Sequence, residues 1–259
     1  FFFFFVIGEW NEIYAGNSPL GYLGVSDSFQ SVAFGDRNGD EIDDFALLNI
    51  GNDIYRFEFD EDQRMLYNFM FSNKRLIVRG LAGTGKTILA AKKATEESNN
   101  EKKVLVLTKT VGVGRFLSLL TRTKQFKRGF LEISSIDGFI SNLARKVKLT
   151  INHPQKLEND EKRRHFDEYL PEICKKIFSE HEDRKFDMLI VDEGQDFHEN
   201  WYEALKTIVK PDGHMFFFYD PLQKQIANSM AETLNQNKDN YPLFSLTANY
   251  RNSSTITSF

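Results

Sequence analysis

Short apolar runs recur along the second half and more of the chain. Leu76-Ile77-Val78, Val104–Leu107, Leu131–Ile136, Met188–Val191, Met215–Tyr219 and Phe244–Leu246 each predict a strand. Between them lie stretches with helical spacing: Asp62 to Phe71, Ile88 to Thr95, Gly114 to Leu120 and Trp201 to Val209, while residues 139–185 are charged and mostly helical. Strands alternating with helices predict an α/β fold, a parallel sheet with helices on both faces. In such a sheet ligands gather at the carboxyl ends of the strands. Before residue 60 the pattern differs. Ser31 to Phe34, Phe45 to Ile50 and Asp53 to Phe59 are short strand-like runs with Gly, Asn and Asp between them, and Gly51-Asn52 is suited to a hairpin turn. The change near Asp60 divides the chain into a β-rich segment, 1–59, and a larger lobe, 60–259.

Charge sharpens that division. The 259 residues carry a net charge of only −4, with 41% hydrophobic and 27% charged residues, ordinary values for a globular protein. Residues 1–62, however, hold thirteen acidic and two basic side chains, whereas 102–148 hold eleven Lys or Arg and two acidic residues. The basic stretch suits a phosphate backbone and equally a solvated charged face. The single cysteine, Cys174, excludes an internal disulfide framework and a cysteine-built zinc site, and fits a reducing, cytoplasmic setting. No apolar run approaches the ~18 residues that span a bilayer, so no membrane partner is expected. The five histidines show no metal-binding spacing. Trp201, at the start of a helix, is expected to pack.

The chemistry concentrates at the strand ends. Residues 80 to 87, Gly-Leu-Ala-Gly-Thr-Gly-Lys-Thr, form a complete G-x-x-x-x-G-K-[ST] loop between a strand and a helix. Gly80, Gly83 and Gly85 let backbone N–H groups turn inward around phosphates, and the helix N-terminus adds partial positive charge. Lys86 reaches the β- and γ-phosphates, and the Thr87 hydroxyl suits Mg²⁺. The strand Met188–Val191 ends in Asp192-Glu193. Asp192 is placed to hold Mg²⁺, and Glu193 to orient and deprotonate the attacking water. ATP and Mg²⁺ are the expected cofactors.

Asp192-Glu193-Gly194-Gln195-Asp196 resembles the D-E-x-Q-D motif of UvrD/Rep-type superfamily-1 helicases, and other segments agree in order. Phe59 to Arg64 resembles that family's glutamine motif, which implies that Gln63 reads the adenine edge. Asp220-Pro221-Leu222-Gln223 resembles its D-x-x-Q motif, implying that Gln223 senses the γ-phosphate. Asn249-Tyr250-Arg251-Asn252-Ser253 resembles its N-Y-R-S/T motif, implying that Tyr250 stacks on adenine and Arg251 contacts the γ-phosphate. Leu107 to Thr110 and Ser134 to Phe139 stand where the family touches single-stranded DNA, which implies Thr108, Lys109, Ser135 and Phe139 as nucleic-acid contacts. Asp137 departs from the usual His or neutral residue there.

The resemblance covers about residues 57–259 and implies the first RecA-like lobe of a DNA helicase or translocase, with a short helical insertion at about 140–186. The second lobe and its arginine finger are absent from this sequence. The piece alone is therefore expected to bind ATP, hydrolyse it weakly and not unwind. The expected partner is single-stranded DNA, with RNA open. An alternative is an ATP-dependent switch that recruits a nuclease or other effector in repair or phage defence. The segment 1–59 stands outside the resemblance. Its Asp36-Arg37-Asn38-Gly39-Asp40-Glu41-Ile42-Asp43-Asp44 run resembles a short calcium loop, but the misplaced Gly and Leu47 at the position of the bidentate Glu favour an acidic turn.

Overall fold

The computed structural model describes residues 29–35, 45–50, 53–109, 130–151, 159–223 and 228–248, with side chains described from Phe59 onward. The Asp36–Asp44 loop, Gly114 to Leu120, Thr110, Tyr250 and Arg251 lie outside the described residues. Strands β1 (Phe29–Gly35), β2 (Phe45–Ile50) and β3 (Asp53–Glu58) form an antiparallel sheet in the order β1-β2-β3. Ile50 pairs with Asp53 across the expected Gly51-Asn52 hairpin.

The larger lobe begins with α1 (Glu61–Ser72), whose start is fixed by a capping box between Asp60 and Gln63. There follow β4 (Arg75–Gly80), α2 (Lys86–Asn99), β5 (Lys103–Thr108), β6 (Phe130–Ser135) and α3 (Ile136–Lys146). Next come α4 (Asn159–Arg164), a wide π turn (His165–Tyr169), α5 (Leu170–Glu180) and β7 (Phe186–Val191). The lobe ends with α6 (Asn200–Thr207), β8 (Val209–Tyr219), α7 (Met230–Gln236) and β9 (Leu243–Leu246). The six strands from β4 on form one sheet, β6-β5-β7-β8-β4-β9, parallel at every pairing. This is the expected α/β architecture, a RecA-like P-loop sheet with flanking helices.

Alternate side chains along the strands feed two separate cores. Leu105, Leu107, Leu189, Val191, Met215, Phe217 and Tyr219 face α3, α5, α6 and α7. Val104, Val106, Met188, Ile190, Phe216 and Phe218 face α1 and α2. Both faces are therefore dry, which is why these strands read as unbroken apolar runs. Trp201 is fully buried in the first core, as expected of a packing residue.

Two elements differ from expectation. β8 starts at Val209 rather than Met215, because Phe186 pairs with Val209 while Met188 pairs with His214. The intervening Lys210-Pro211-Asp212-Gly213 bulges from the ladder, with the Gly213 backbone so close to the Asp187 carbonyl that a Cβ would sit 2.8 Å from it. Helix α7 was not foreseen. It is short, carries no side-chain cap and stops where Asn237 turns left-handed at φ 47°.

Candidate nucleotide-binding and catalytic site

Three strands that end side by side, β4, β8 and β7, deliver the three motifs to one edge of the sheet. The loop after β4 is shaped by backbone conformations that L side chains avoid, with Gly83 at φ 88° and Gly85 at φ 82°. Gly80 is required for space: a Cβ there would lie 2.6 Å from Thr84 Oγ1 and 3.1 Å from Leu246 Cβ. Gly85 caps α2 without a side chain, which leaves the first turn of the helix directed into the loop. Lys86 is buried and folds back over the loop, its Nζ donating to the carbonyls of Gly80 (2.7 Å) and Leu81 (3.0 Å).

Thr87 Oγ1 donates to Asp192 Oδ2 across 2.8 Å, joining the loop to the end of β7. Asp192 is fully buried, and its Oδ1 has no hydrogen-bond partner among the described residues. Burial, and next the adjacent charge of Glu193, push its carboxyl above the usual range, against the pull of the Thr87 hydroxyl and Lys86. A hydroxyl, an orphaned carboxylate oxygen and two crowded acids form a hard-oxygen set that a divalent cation neutralises. The site therefore fits Mg²⁺, with Thr87 and Asp192 as the residues that would hold it.

Glu193 adopts left-handed backbone, φ 56° and ψ 47°, an uncommon and strained conformation for a side-chain-bearing residue. Its half-buried carboxylate accepts a hydrogen bond from Gln195 in the same turn. Gln195, fully buried, donates from Nε2 to Glu193 Oε2 at 2.5 Å and accepts at Oε1 from the Asp220 backbone N–H at 2.9 Å. The Asp220 carboxylate accepts in turn from the Leu222 backbone N–H and from Gln223 Nε2, both at 2.9 Å. Gly194 between the acids is held against α7 and β8. A Cβ there would meet Met230 Cε at 3.2 Å and the Phe218 carbonyl at 3.3 Å.

Gln63 is buried with its carboxamide committed at both ends, Oε1 accepting from the Asp60 backbone N–H and Nε2 donating to the Thr84 carbonyl at 3.0 Å. It thus ties the start of α1 to the phosphate loop.

The nucleic-acid residues separate. Thr108 is buried at the end of β5, and the Ser135 hydroxyl caps α3 by accepting from the Gly138 N–H at 3.3 Å. Phe139 corrects the expectation of base stacking. It is 2% exposed, stacked on Phe178 at 6.3 Å and edge-on to Phe186 at 5.9 Å, because Phe139, Ile140, Leu143 and Ala144 form the buried stripe of α3. Lys109 is half-buried with Nζ 3.0 Å from the centre of the Phe166 ring, which the π turn presents. Burial pushes its ammonium down to about 8, opposed by the charges of Asp167, Asp196 and Asp137. Burial and then Glu193 push Asp196 up to about 6, so the acidic motif and Lys109 share one electrostatic neighbourhood. The roles of Gln195, Asp220 and Phe166 were not foreseen from sequence. Gln195 stood in plain view inside D-E-x-Q-D, whereas nothing local marks Phe166.

A family profile described as "Type III restriction enzyme, res subunit" matches residues 57–248. No curated protein matches the chain. Among solved structures it is similar to Bacteroides Pif1 bound to ssDNA, at 17% identity over 76% of this chain and 44% of that one, TM-score 0.41. It is also similar to Pif1 helicase from Candida albicans, at 15% identity over 77% and 42%, TM-score 0.43. A third likeness is to AMPPCP-bound DnaA from Aquifex aeolicus, at 14% identity over 73% and 48%, TM-score 0.38. These are likenesses of fold alone, and the chain spans less than half the length of those structures. Among the described residues no helix is long and apolar enough to cross a membrane.

Proposed function

Because the chain belongs to the family of type III restriction enzyme res subunits, helicase-type P-loop ATPases, we propose that it is the ATP-binding lobe of a motor that couples hydrolysis to single-stranded nucleic acid. The finer assignment, to the UvrD/Rep type of superfamily 1, rests on the D-E-x-Q-D, D-x-x-Q and N-Y-R motifs. The observation that carries the reading is the Thr87–Asp192 hydrogen bond with an orphaned Asp192 oxygen and Glu193 adjacent.

Backbone N–H groups of the 80–87 loop and Lys86 hold the β- and γ-phosphates, Lys86 exchanging its carbonyl partners for phosphate oxygens. Gln63 and Tyr250 take the adenine. Thr87 and Asp192 would hold Mg²⁺, which would supply charge neutralisation for the triphosphate. Glu193 accepts a proton from the attacking water as its oxygen bonds to the γ-phosphorus. The bond from the γ-phosphorus to the bridging oxygen breaks, and its electron pair leaves on ADP. Gln223 and Arg251 contact the γ-phosphate. Of the nucleic-acid candidates Lys109 supplies the cation for the phosphates, while Thr108 is buried and the Ser135 hydroxyl is committed to the cap of α3. The preferred substrate is single-stranded DNA, and the setting is cytoplasmic.

The test is ATP hydrolysis by the full-length protein with and without single-stranded DNA, at low and moderate salt. Strong stimulation that fades with salt is expected of a motor gripping phosphates. Hydrolysis indifferent to nucleic acid favours the alternative, an ATP-dependent switch that recruits a nuclease or other effector. Glu193→Gln is expected to bind ATP normally and to lose turnover; normal turnover in that variant removes Glu193 as the base.

A further inference from the structure

The geometry points to Gln195 as a positioning residue that fixes the Glu193 carboxylate and links it through Asp220 to Gln223. The inference rests on the reading of Glu193 as the base. Gln195 is fully buried in the turn between the two acids of the motif, and both ends of its carboxamide are used. Its orientation is dictated by its partners, since a carboxylate demands a donor and a backbone N–H demands an acceptor. Nε2 donates to Glu193 Oε2 at 2.5 Å, and Oε1 accepts from the Asp220 N–H at 2.9 Å. The Asp220 carboxylate then holds Gln223 Nε2 at 2.9 Å.

Glu193 needs such a tether. Its left-handed backbone stores strain that relaxes unless the surroundings over-determine it. A glutamate side chain has three rotatable bonds, and a base must be held within a few tenths of an ångström of the water it serves. The hydrogen bond from Gln195 supplies that restraint, and it comes from a residue whose other end grips the loop after β8. A shift of Gln223 on the γ-phosphate is therefore passed through Asp220 and Gln195 to the carboxylate. Asp220, 2% exposed, is too confined to absorb such a shift itself. Close packing of Gly194 against Phe218 and Met230 keeps the turn from sliding instead. The consequence is a base whose aim depends on the state of the D-x-x-Q loop.

The experiment compares Gln195→Met, Gln195→Glu, Gln223→Met and the Gln195→Met/Gln223→Met pair in the full-length protein. Gln195→Met keeps volume and removes both hydrogen bonds. Gln195→Glu keeps an acceptor for the Asp220 N–H and removes the donor to Glu193. ATP affinity is read by equilibrium binding, folding by urea midpoint, and turnover with and without oligo-dT. Both Gln195 variants are expected to lose about 10- to 100-fold in kcat with ATP affinity within about threefold of wild type. The stimulation by oligo-dT is expected to shrink in the same proportion, and the double variant to be no slower than the slower of the two single variants. The inference is overturned if kcat stays within about twofold of wild type, if ATP affinity falls as much as kcat, or if the two losses multiply. Glu193→Gln separates the two levels. Turnover that survives it removes the functional reading, whereas turnover that needs Glu193 but tolerates Gln195→Met removes the relay alone.

Discussion

The helix behind the phosphate loop is anchored by a buried charge, and removing that charge's partner has a cost that the structure sets. Lys93 on α2 is fully buried, with Nζ 2.8 Å from Glu97, 3.4 Å from Glu96 and 3.7 Å from the centre of the Phe71 ring on α1. Glu97 has a second cation, Lys102 at 2.5 Å, whose side chain is 37% exposed. The two partners are therefore unequal. Lys93→Met leaves Glu97 paired with Lys102 and fills the space with apolar atoms, so the loss is expected to be about 1 kcal/mol or less. Glu97→Gln removes the charge opposite Lys93 and leaves it an amide oxygen and the longer contact to Glu96, so the cost is expected near the low end for breaking a buried pair, about 3 kcal/mol. With a urea slope of about 3 kcal/mol/M, that is a midpoint shift of about 1 M. In the Lys93→Met background, Glu97→Gln is expected to cost about 1 kcal/mol, which gives a coupling of about 2 kcal/mol. The dependence on pH has a definite sign. Burial raises the Glu97 carboxyl, but its hydrogen bonds to Lys102 and Lys93 outweigh burial and hold it below its ordinary value of 4.5. Its contribution is therefore complete above pH 4.5 and is lost as pH falls through the depressed folded value, so wild type and Glu97→Gln converge in acid. Urea unfolding of the four proteins at pH 7 and in acid decides the matter. Equal costs for the two single variants, or strictly additive costs, would refute the account.

Three further outcomes are expected. Gly194→Val forces branched atoms against the Phe218 carbonyl and Met230, and is expected to cost about 1–3 kcal/mol by urea unfolding and to lower kcat more than ATP affinity. Lys109 has its ammonium pushed down to about 8. Single-stranded DNA affinity is therefore expected to fall as pH rises through 8 and Lys109→Met to abolish that fall, as read by fluorescence anisotropy at constant ionic strength. In the same range the unfolded chain binds the Lys109 proton more tightly, so wild type is expected to gain stability with pH above 8 relative to Lys109→Met. Trp201→Ala empties a fully buried ring site against Phe166 and Phe197 and is expected to cost about 3–5 kcal/mol by the same unfolding measurement.

The sheet was legible because its strands are buried on both faces, so Val104–Leu107 and Met188–Val191 announce themselves without regard to register. The first half of β8 was hidden because Lys210-Pro211-Asp212-Gly213 bulges out of the ladder and carries a turn's composition. The phosphate loop was legible since its glycines encode conformations, two of them left-handed. Phe139 was misjudged although its signal was present: Phe139, Ile140, Leu143 and Ala144 share one helical face, the spacing of a core stripe. The Gln195 link could not be read, because its second partner arrives in the loop after β8, 25 residues away. Lys109's seat on Phe166 depends on a π turn, for which sequence offers no rule.

The position of β4 in the sheet also governs when the site comes into being. β4 carries the phosphate loop, yet both of its neighbours are made last. Arg75 reaches Gly213 at a separation of 138 residues, and Arg79 reaches Ser245 at 166. Gly80 closes against Leu246, in β9. As the chain leaves the ribosome, β4 must wait for both of its sheet partners, whereas α2 can already pack on β5. A nascent chain halted after β7 has both acids and the phosphate loop, but lacks β8, the strand that joins β4 to β7.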